Sequence, residues 1–321
     1  MDVTIRTAVI ADIQPIMDVS KSLLRKINYD ELRTWMGVDP DGFFVAETNE
    51  SQIVGTCCAI RLSPEEGFGG LFWVDEGFRK KGIGTKLGRT GLQHLGDRNV
   101  AIRTAKEMGD VCFAKYGFTY EGDKILFYEC LERVPFPERR VEPGIRVVTL
   151  VEGQLTKIQS NQDTADEIDA DLRAFTTEDI ISKVEAYDRS LRHIDLSPVI
   201  REMFFWRSCK ASIALSSGKV VGFGCLRPVV TGHWVVSPLY SDTESVAEVI
   251  LTDLLHGFDF SQMSEGIWAR FPEKNTACVR LLTKFGFKDT SFNFGTRFNK
   301  RLVNQDISKI YSYYSMSFCT E

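Results

Sequence analysis

No two cysteines in this sequence stand at the Cys-x-x-Cys spacing. Of the eight, Cys57 and Cys58 are adjacent, and Cys112, Cys130, Cys209, Cys225, Cys278 and Cys319 are scattered. Histidine is equally sparse: His94, His193, His233 and His256 are the four, and none neighbours another. Zinc sites draw on such ligands in short-spaced pairs, so no metal is expected. The thiols read as reduced and mostly buried. No apolar run approaches the roughly 20 residues needed to span a bilayer. The opening Met1-Asp2-Val3-Thr4-Ile5-Arg6 lacks the charged-then-apolar pattern of a secretion signal and reads as a first strand. An excess of basic charge is missing too. Lys and Arg number 39 against 44 Asp and Glu, a net charge of −5, which gives no support for wholesale nucleic-acid binding. The expectation is an intracellular, cytoplasmic protein with no membrane partner, the nucleus being left open.

What remains is a globular chain of 321 residues, 43% hydrophobic and 26% charged. That length suits two domains of roughly 150 residues each. Three of its ten prolines, Pro135, Pro137 and Pro143, crowd into residues 132–143 among several charges. Proline fixes φ and removes a donor, so this stretch resists both helix and ladder and marks the boundary. Domains over residues 1–131 and 144–321 follow, as an expected monomer with the two domains packed together.

Periodicity in the first half predicts strand (4–9), helices (10–24 and 28–36), strands (43–47, 53–60, 69–74), helix (82–95), strand (100–104), helix (109–115) and strand (124–130). The second half repeats the order. Helical stretches at 162–176 and 178–187 lead to Ser197-Pro198, a cap with proline behind it. Strands at 211–215 and 220–226 flank the turn Ser216-Ser217-Gly218-Lys219, and Asp242 can cap a helix over 245–255. A strand (267–271), a helix (275–284) and strands at 292–298 and 310–318 close the chain. Lys115-Tyr116-Gly117-Phe118 recurs as Lys284-Phe285-Gly286-Phe287 at the same point of this order, which argues for an internal duplication.

Arg79-Lys80-Lys81-Gly82-Ile83-Gly84-Thr85 follows a strand and opens a helix. Unpartnered N–H groups and the helix dipole make such a start attractive to anions, and glycines let an anion approach the backbone. The pattern suits a pyrophosphate. A Walker loop would need lysine where Ile83 stands, and a dinucleotide fingerprint would need glycine or alanine where Leu87 stands. Taken alone, the loop also fits an ordinary charged turn.

Its surroundings carry a resemblance. Phe43-Phe44-Val45-Ala46-Glu47, Ile53-Val54-Gly55, the run from Leu71-Phe72-Trp73-Val74 to Arg79, and Tyr116-Gly117-Phe118 stand in order and spacing over residues 3–131. On these the first half resembles the GCN5-related N-acetyltransferase (GNAT) superfamily. The second half resembles the C-terminal acetyltransferase-like domain of tandem members, on Val221-Gly222, Pro238-Leu239-Tyr240-Ser241-Asp242 and Phe285-Gly286-Phe287. The resemblance implies an α/β fold: two tandem GNAT-like domains, each a splayed mixed sheet flanked by helices. It places acetyl-CoA in the split of the first, with no metal. Backbone groups of Phe72, Trp73 and Val74 would meet the pantetheine arm. Amides from Lys81 through Gly82, Ile83 and Gly84 to Thr85 would hold the pyrophosphate, with Arg79 and Lys80 near the phosphates or solvent.

The implied activity is N-acyl transfer, most simply acetyl, by direct attack of an amine on the thioester. Two positions depart from the family pattern: Phe113 stands where a tyrosine commonly protonates the leaving thiolate, and Lys106 where asparagine is common. Phe113 can still wall the thiol end. Tyr116 and Tyr120 are candidate replacements for the acid and Glu47 a candidate base, though packing and a solvated strand edge account for these residues as well. The second domain has Asn275 at the asparagine position but Leu282 at the tyrosine position, and its turn over 237–244 carries two acids and no Gly-x-Gly. No coenzyme is expected there; the domain would shield the first sheet or shape the acceptor pocket. A non-catalytic acyl-CoA-binding or sensing protein, and a ligand-free scaffold, remain as alternatives.

Overall fold

A computed structural model describes residues 2–132, 143–159, 176–192, 194–315 and 317–318. The side chains of Phe113 and of residues 157–159, most of the proline-rich stretch and nearly all of the helix expected at 162–176 lie outside that description.

The chain forms two compact units. The first contains β1 (Val3–Thr7), α1 (Ile13–Ser22), α2 (Tyr29–Val38), β2 (Phe43–Thr48), β3 (Ile53–Arg61), β4 (Glu66–Val74), α3 (Ile83–Leu95), β5 (Asn99–Thr104) and α4 (Lys106–Tyr116). β1 to β4 are antiparallel neighbours, and β5 lies parallel to β4. Ile83, Leu87 and Leu95 form one stripe of α3, spaced by turns of the helix. They pack with Phe44, Ala46, Val54, Cys57 and Ala59 on one face of the sheet. Alternation sends Phe43 and Phe68 to the other face, where both rings meet Phe318, itself stacked on Trp35 of α2 at 5.0 Å.

The second unit begins with β6 (Tyr120–Cys130) from Lys124 onward. It continues through β7 (Ile145–Val151), β8 (Gln154–Gln159), α5 (Thr177–Leu191), α6 (Ser197–Met203), β9 (Lys210–Ser216), β10 (Lys219–Pro228), β11 (Trp234–Ser241), α7 (Glu244–Leu255), β12 (Ile267–Pro272), α8 (Thr276–Lys284), β13 (Lys288–Phe298) as far as Asn293, and β14 (Ile310–Ser312). The sheet runs β6-β12-β11-β10-β9-β7-β8, with β14 against β11. The β7–β8 hairpin is absent from the sequence reading, although Glu152 (φ 49°) and Gly153 (φ 77°) make the left-handed pair favoured in two-residue hairpins. Ser217 and Gly218 repeat it at the hairpin that was expected.

Two capping assignments change. Asp242 does not cap α7; Thr243 does, accepting from Val246 N–H. Ser197 lies inside α6, and its own N–H bonds the Asp195 carboxylate at 2.9 Å. The duplicated tetrapeptide ends α4 and α8 with Gly117 and Gly286 at φ 75° and 78° and buries Phe118 and Phe287. The strand after each copy passes from one unit into the other. Ile125–Cys130 of β6 pairs with β12, and Gly295–Phe298 of β13 pairs with β5. Against the expected span 1–131, the first unit ends at Asp123 and takes in Phe294–Asn304 and Ser317–Glu321.

Candidate active site

The parallel register of β4 and β5 runs from Glu66↔Asn99 to Gly69↔Ile102 and goes no further. Past Gly69, β4 turns away across a bulge: Thr56 faces Trp73 while Cys58 faces Gly70, and Leu71 takes a φ of 45°. The Leu71 carbonyl accepts the Thr56 hydroxyl at 2.6 Å. Asp75 N–H bonds Val54 O at 2.8 Å, which fixes the phase of the strand. The backbone of Trp73 therefore points to β3, and that of Phe72 and Val74 points into the split. Of the three residues expected to offer backbone groups there, Trp73 does not. Both outward carbonyls have side-chain donors: Phe72 O accepts Arg25 Nη2 at 2.7 Å and Val74 O accepts Arg79 Nε at 3.0 Å. The N–H groups of Phe72 and Val74 are the donors the split offers.

The chain then makes one tight turn, in which Asp75 accepts from Gly77 N–H at 2.9 Å, and enters the loop. Lys80 (φ 62°) and Gly82 (φ 82°) are both left-handed. Gly82 is the N-cap of α3 without a capping side chain, and the first helical bond is Lys86 N–H to Gly82 O at 3.0 Å. The N–H groups of Gly82, Ile83, Gly84 and Thr85 thus have no acceptor within the helix, at the positive end of its dipole. A Cβ on Gly84 would lie 3.2 Å from the Phe72 ring and 3.4 Å from Val74. Glycine there seats the start of α3 directly on the end of β4, so the loop and the split form one continuous surface.

The loop cations divide. Lys81 Nζ donates to Gly77 O at 2.9 Å and lies 5.0 Å from the Phe78 ring centroid, so it braces the turn. Arg79 braces Val74 and stands 3.6 Å from Glu76. Lys80 is exposed. From α4, Lys115 Nζ donates to Thr85 Oγ1 at 2.6 Å, a contact that sequence spacing gave no means to anticipate.

The catalytic candidates separate as clearly. Both oxygens of Glu47 are held by Arg6, at 2.8 and 2.9 Å, and Arg6 also grips Asp12. Hydrogen bonding to Arg6 holds the Glu47 carboxyl below its ordinary range, the wrong direction for a base. Tyr116 packs against α3: a Cβ on Gly88 would lie 2.9 Å from its hydroxyl. Burial raises its pKa, so the phenol stays protonated. Tyr120 and Lys106 are exposed. Phe113 lies on α4, its side chain outside the described atoms.

The second unit has the same split, and protein fills it. β11 pairs in parallel with β12 only at Trp234↔Ile267 and Val235↔Trp268. Beyond that, β14 lies antiparallel on β11, with Leu239↔Ser312 and Tyr240↔Ile310. Asn275 Nδ2 donates to Ile307 O at 3.1 Å and Ile310 O at 2.8 Å, Ser312 Oγ to Val236 O at 2.6 Å, and Tyr313 N–H to Arg270 O at 2.8 Å. The acids expected to repel a pyrophosphate are paired, Asp242 with Lys309 at 2.9 Å and Glu244 with Arg280 at 2.6 Å. The occupied split is a stronger physical obstacle than their charge.

Residues 12–118 match the acetyltransferase (GNAT) family, and residues 196–312 match an acetyltransferase (GNAT) domain. The chain is a tandem member of the GNAT acetyltransferase family. Holothin acyltransferase of Pseudoalteromonas sp. (strain SANK 73390) is 21% identical over 262 residues, 81% of this chain and 76% of that protein. The solved structure of a putative acetyltransferase from Pyrococcus horikoshii superposes with a TM-score of 0.67 at 19% identity, over 98% of this chain and 95% of that one. A tandem GNAT protein from the clavulanic acid biosynthesis pathway gives 0.60 at 12% identity, over 94% and 100%. At these identities the structural likenesses bear on fold alone. Among the described residues no three of His, Cys, Asp and Glu are grouped to hold a metal, and no helix is long and apolar enough to cross a membrane.

Proposed function

We propose that this GNAT protein moves an acyl group, most simply acetyl, from coenzyme A to an amine, at a single site in the first unit. The observation that carries the reading is the junction of the β4–β5 split with the uncapped start of α3. It offers the N–H groups of Phe72 and Val74 and then four more from Gly82 to Thr85. The first two suit a pantetheine arm and a thioester oxygen that gains charge as it is attacked. The four at the helix start, with Lys80 beside them, suit a pyrophosphate. The acyltransferase relative supports the reaction class and leaves the acceptor open.

An amine with a pKa near 10.4 is only about 0.1% neutral at pH 7.4. A proton acceptor therefore speeds transfer, and Glu47, held by Arg6, is not suited to that part. A thiolate is already a fair leaving group, so lack of a tyrosine at position 113 slows transfer without forbidding it. The same two features favour a second reading, a protein that binds acyl-CoA without turnover. Calorimetry with acetyl-CoA and thiol release over a panel of amines test both. Binding with release supports transfer, binding without release supports the second reading, and no binding at millimolar acetyl-CoA overturns both.

A further inference from the structure

Two leucines in left-handed conformation flank the split, Leu24 at φ 56° and Leu71 at φ 45°. That conformation is disfavoured for an L-residue, and both distortions converge on one contact. Leu24 ends α1. Its N–H bonds Lys21 O at 3.0 Å and the next, Arg25 N–H, bonds Ser20 O at 2.9 Å, the paired bonds of a Schellman turn. The residue after the left-handed position ordinarily lays an apolar side chain back on the helix. Here it is Arg25, turned under β4 instead. Leu71 opens the bulge that aims the Phe72 carbonyl into the split, and Arg25 Nη2 meets that carbonyl at 2.7 Å.

Arg25 is half-buried, and desolvation lowers its pKa beside the buried Cys58 thiol. Among the described residues the Phe72 carbonyl is its hydrogen-bond partner and no carboxylate pairs with it. A guanidinium carries five N–H donors in a fork that matches a carboxylate, and most of this one's remain. Across the split, Arg103 on β5 faces the same side of the sheet, since Val100 and Ile102 pack under α3. A desolvated cation set this way is completed by an anion.

We propose that Arg25 anchors a carboxylate presented beside the thioester. The substrate pair then includes an acid, carried by the amine acceptor, as in an amino acid, or by the acyl chain, as in a dicarboxylic acyl-CoA. This inference rests on the acyl-CoA reading of the same split. The test is calorimetric and has two arms. Glycine, alanine, phenylalanine, lysine and glutamate are titrated into the CoA-saturated protein against the matching amino amides, and succinyl-CoA is titrated into the free protein against acetyl-CoA. The expected result is a preference of about tenfold or more for the acid in one arm, which identifies its source, reduced to within about twofold in Arg25→Gln. Arg25→Lys keeps the charge without the planar fork and should retain part of the preference, so it serves if the glutamine variant does not fold. No preference in either arm, or one unchanged in the variants, overturns the assignment of Arg25 while acetyl-CoA binding stands. Failure of acetyl-CoA to bind the wild-type protein overturns this assignment and the acyltransferase reading together.

Discussion

At Gly82 space and conformation make different demands. A methyl group there would meet nothing within 4 Å, yet φ is 82°. Gly82→Ala should therefore cost about 1 kcal/mol in chemical denaturation and weaken acyl-CoA binding only modestly. Gly82→Asp carries the same backbone cost and also sets a carboxylate among the four N–H groups, so it should abolish binding. Equal losses in the two variants would mean that loop shape, and not charge, decides affinity. Glu47 gives a second residue-scale test. Since Arg6 holds both its oxygens, Glu47→Gln should lower the melting midpoint while leaving the rate of thiol release and its pH profile as they are. A fall of tenfold or more in that rate would return Glu47 to the role of base.

Among the elements, the end of α2 is tied to β3 and α3 by one buried carboxylate. Asp39 accepts from Arg61 N–H at 2.8 Å, Arg61 Nη2 at 2.8 Å and His94 Nε2 at 2.8 Å. Burial alone would raise its pKa, but the Arg61 and His94 contacts outweigh that and lower it. A carboxyl lowered in the folded state adds stability above its unfolded pKa near 3.9 and loses it as pH falls through the lower folded value. Asp39→Asn should then cost about 2 kcal/mol at pH 7, with the gap from wild type closing only below about pH 4. A gap unchanged from pH 7 to pH 3 would refute the ion-pair account. The sequence showed Asp39 only as part of the turn Asp39-Pro40-Asp41-Gly42, because turn chemistry is local and the partners stand 22 and 55 residues away. For the same reason the helix that follows the glycine loop was legible over residues 82–95 while Arg25 was not. A glycine pattern lies in consecutive residues, whereas Arg25 gains its place from a turn and a bulge 47 residues apart. The β7–β8 hairpin did leave a signal, the apolar Ile145, Val147, Val148 and Leu150 before Glu152-Gly153.

Across the molecule, the duplication was readable and the exchange built on it was not. Two copies of one tetrapeptide reveal two repeats; nothing in them tells which strand the following one pairs with, because ladder pairing is non-local. The end of the chain shows the same limit. Read as a strand over 310–318, it is a strand among the described residues only from Ile310 to Ser312, and Phe318 is buried in the first unit against Trp35, Phe43 and Phe68. Phe318→Ala should remove about 3–5 kcal/mol from the first unit in denaturant melts. A loss under 1 kcal/mol would mean that the aromatic cluster does not hold it. With the split of the second unit filled by β14, one coenzyme site per chain is predicted. Isothermal titration of the full chain with acetyl-CoA, on wild type and Gly82→Asp side by side, tests it most directly. One site per chain in the wild type and none in the variant is the predicted result; two sites, or one that survives Gly82→Asp, would contradict it.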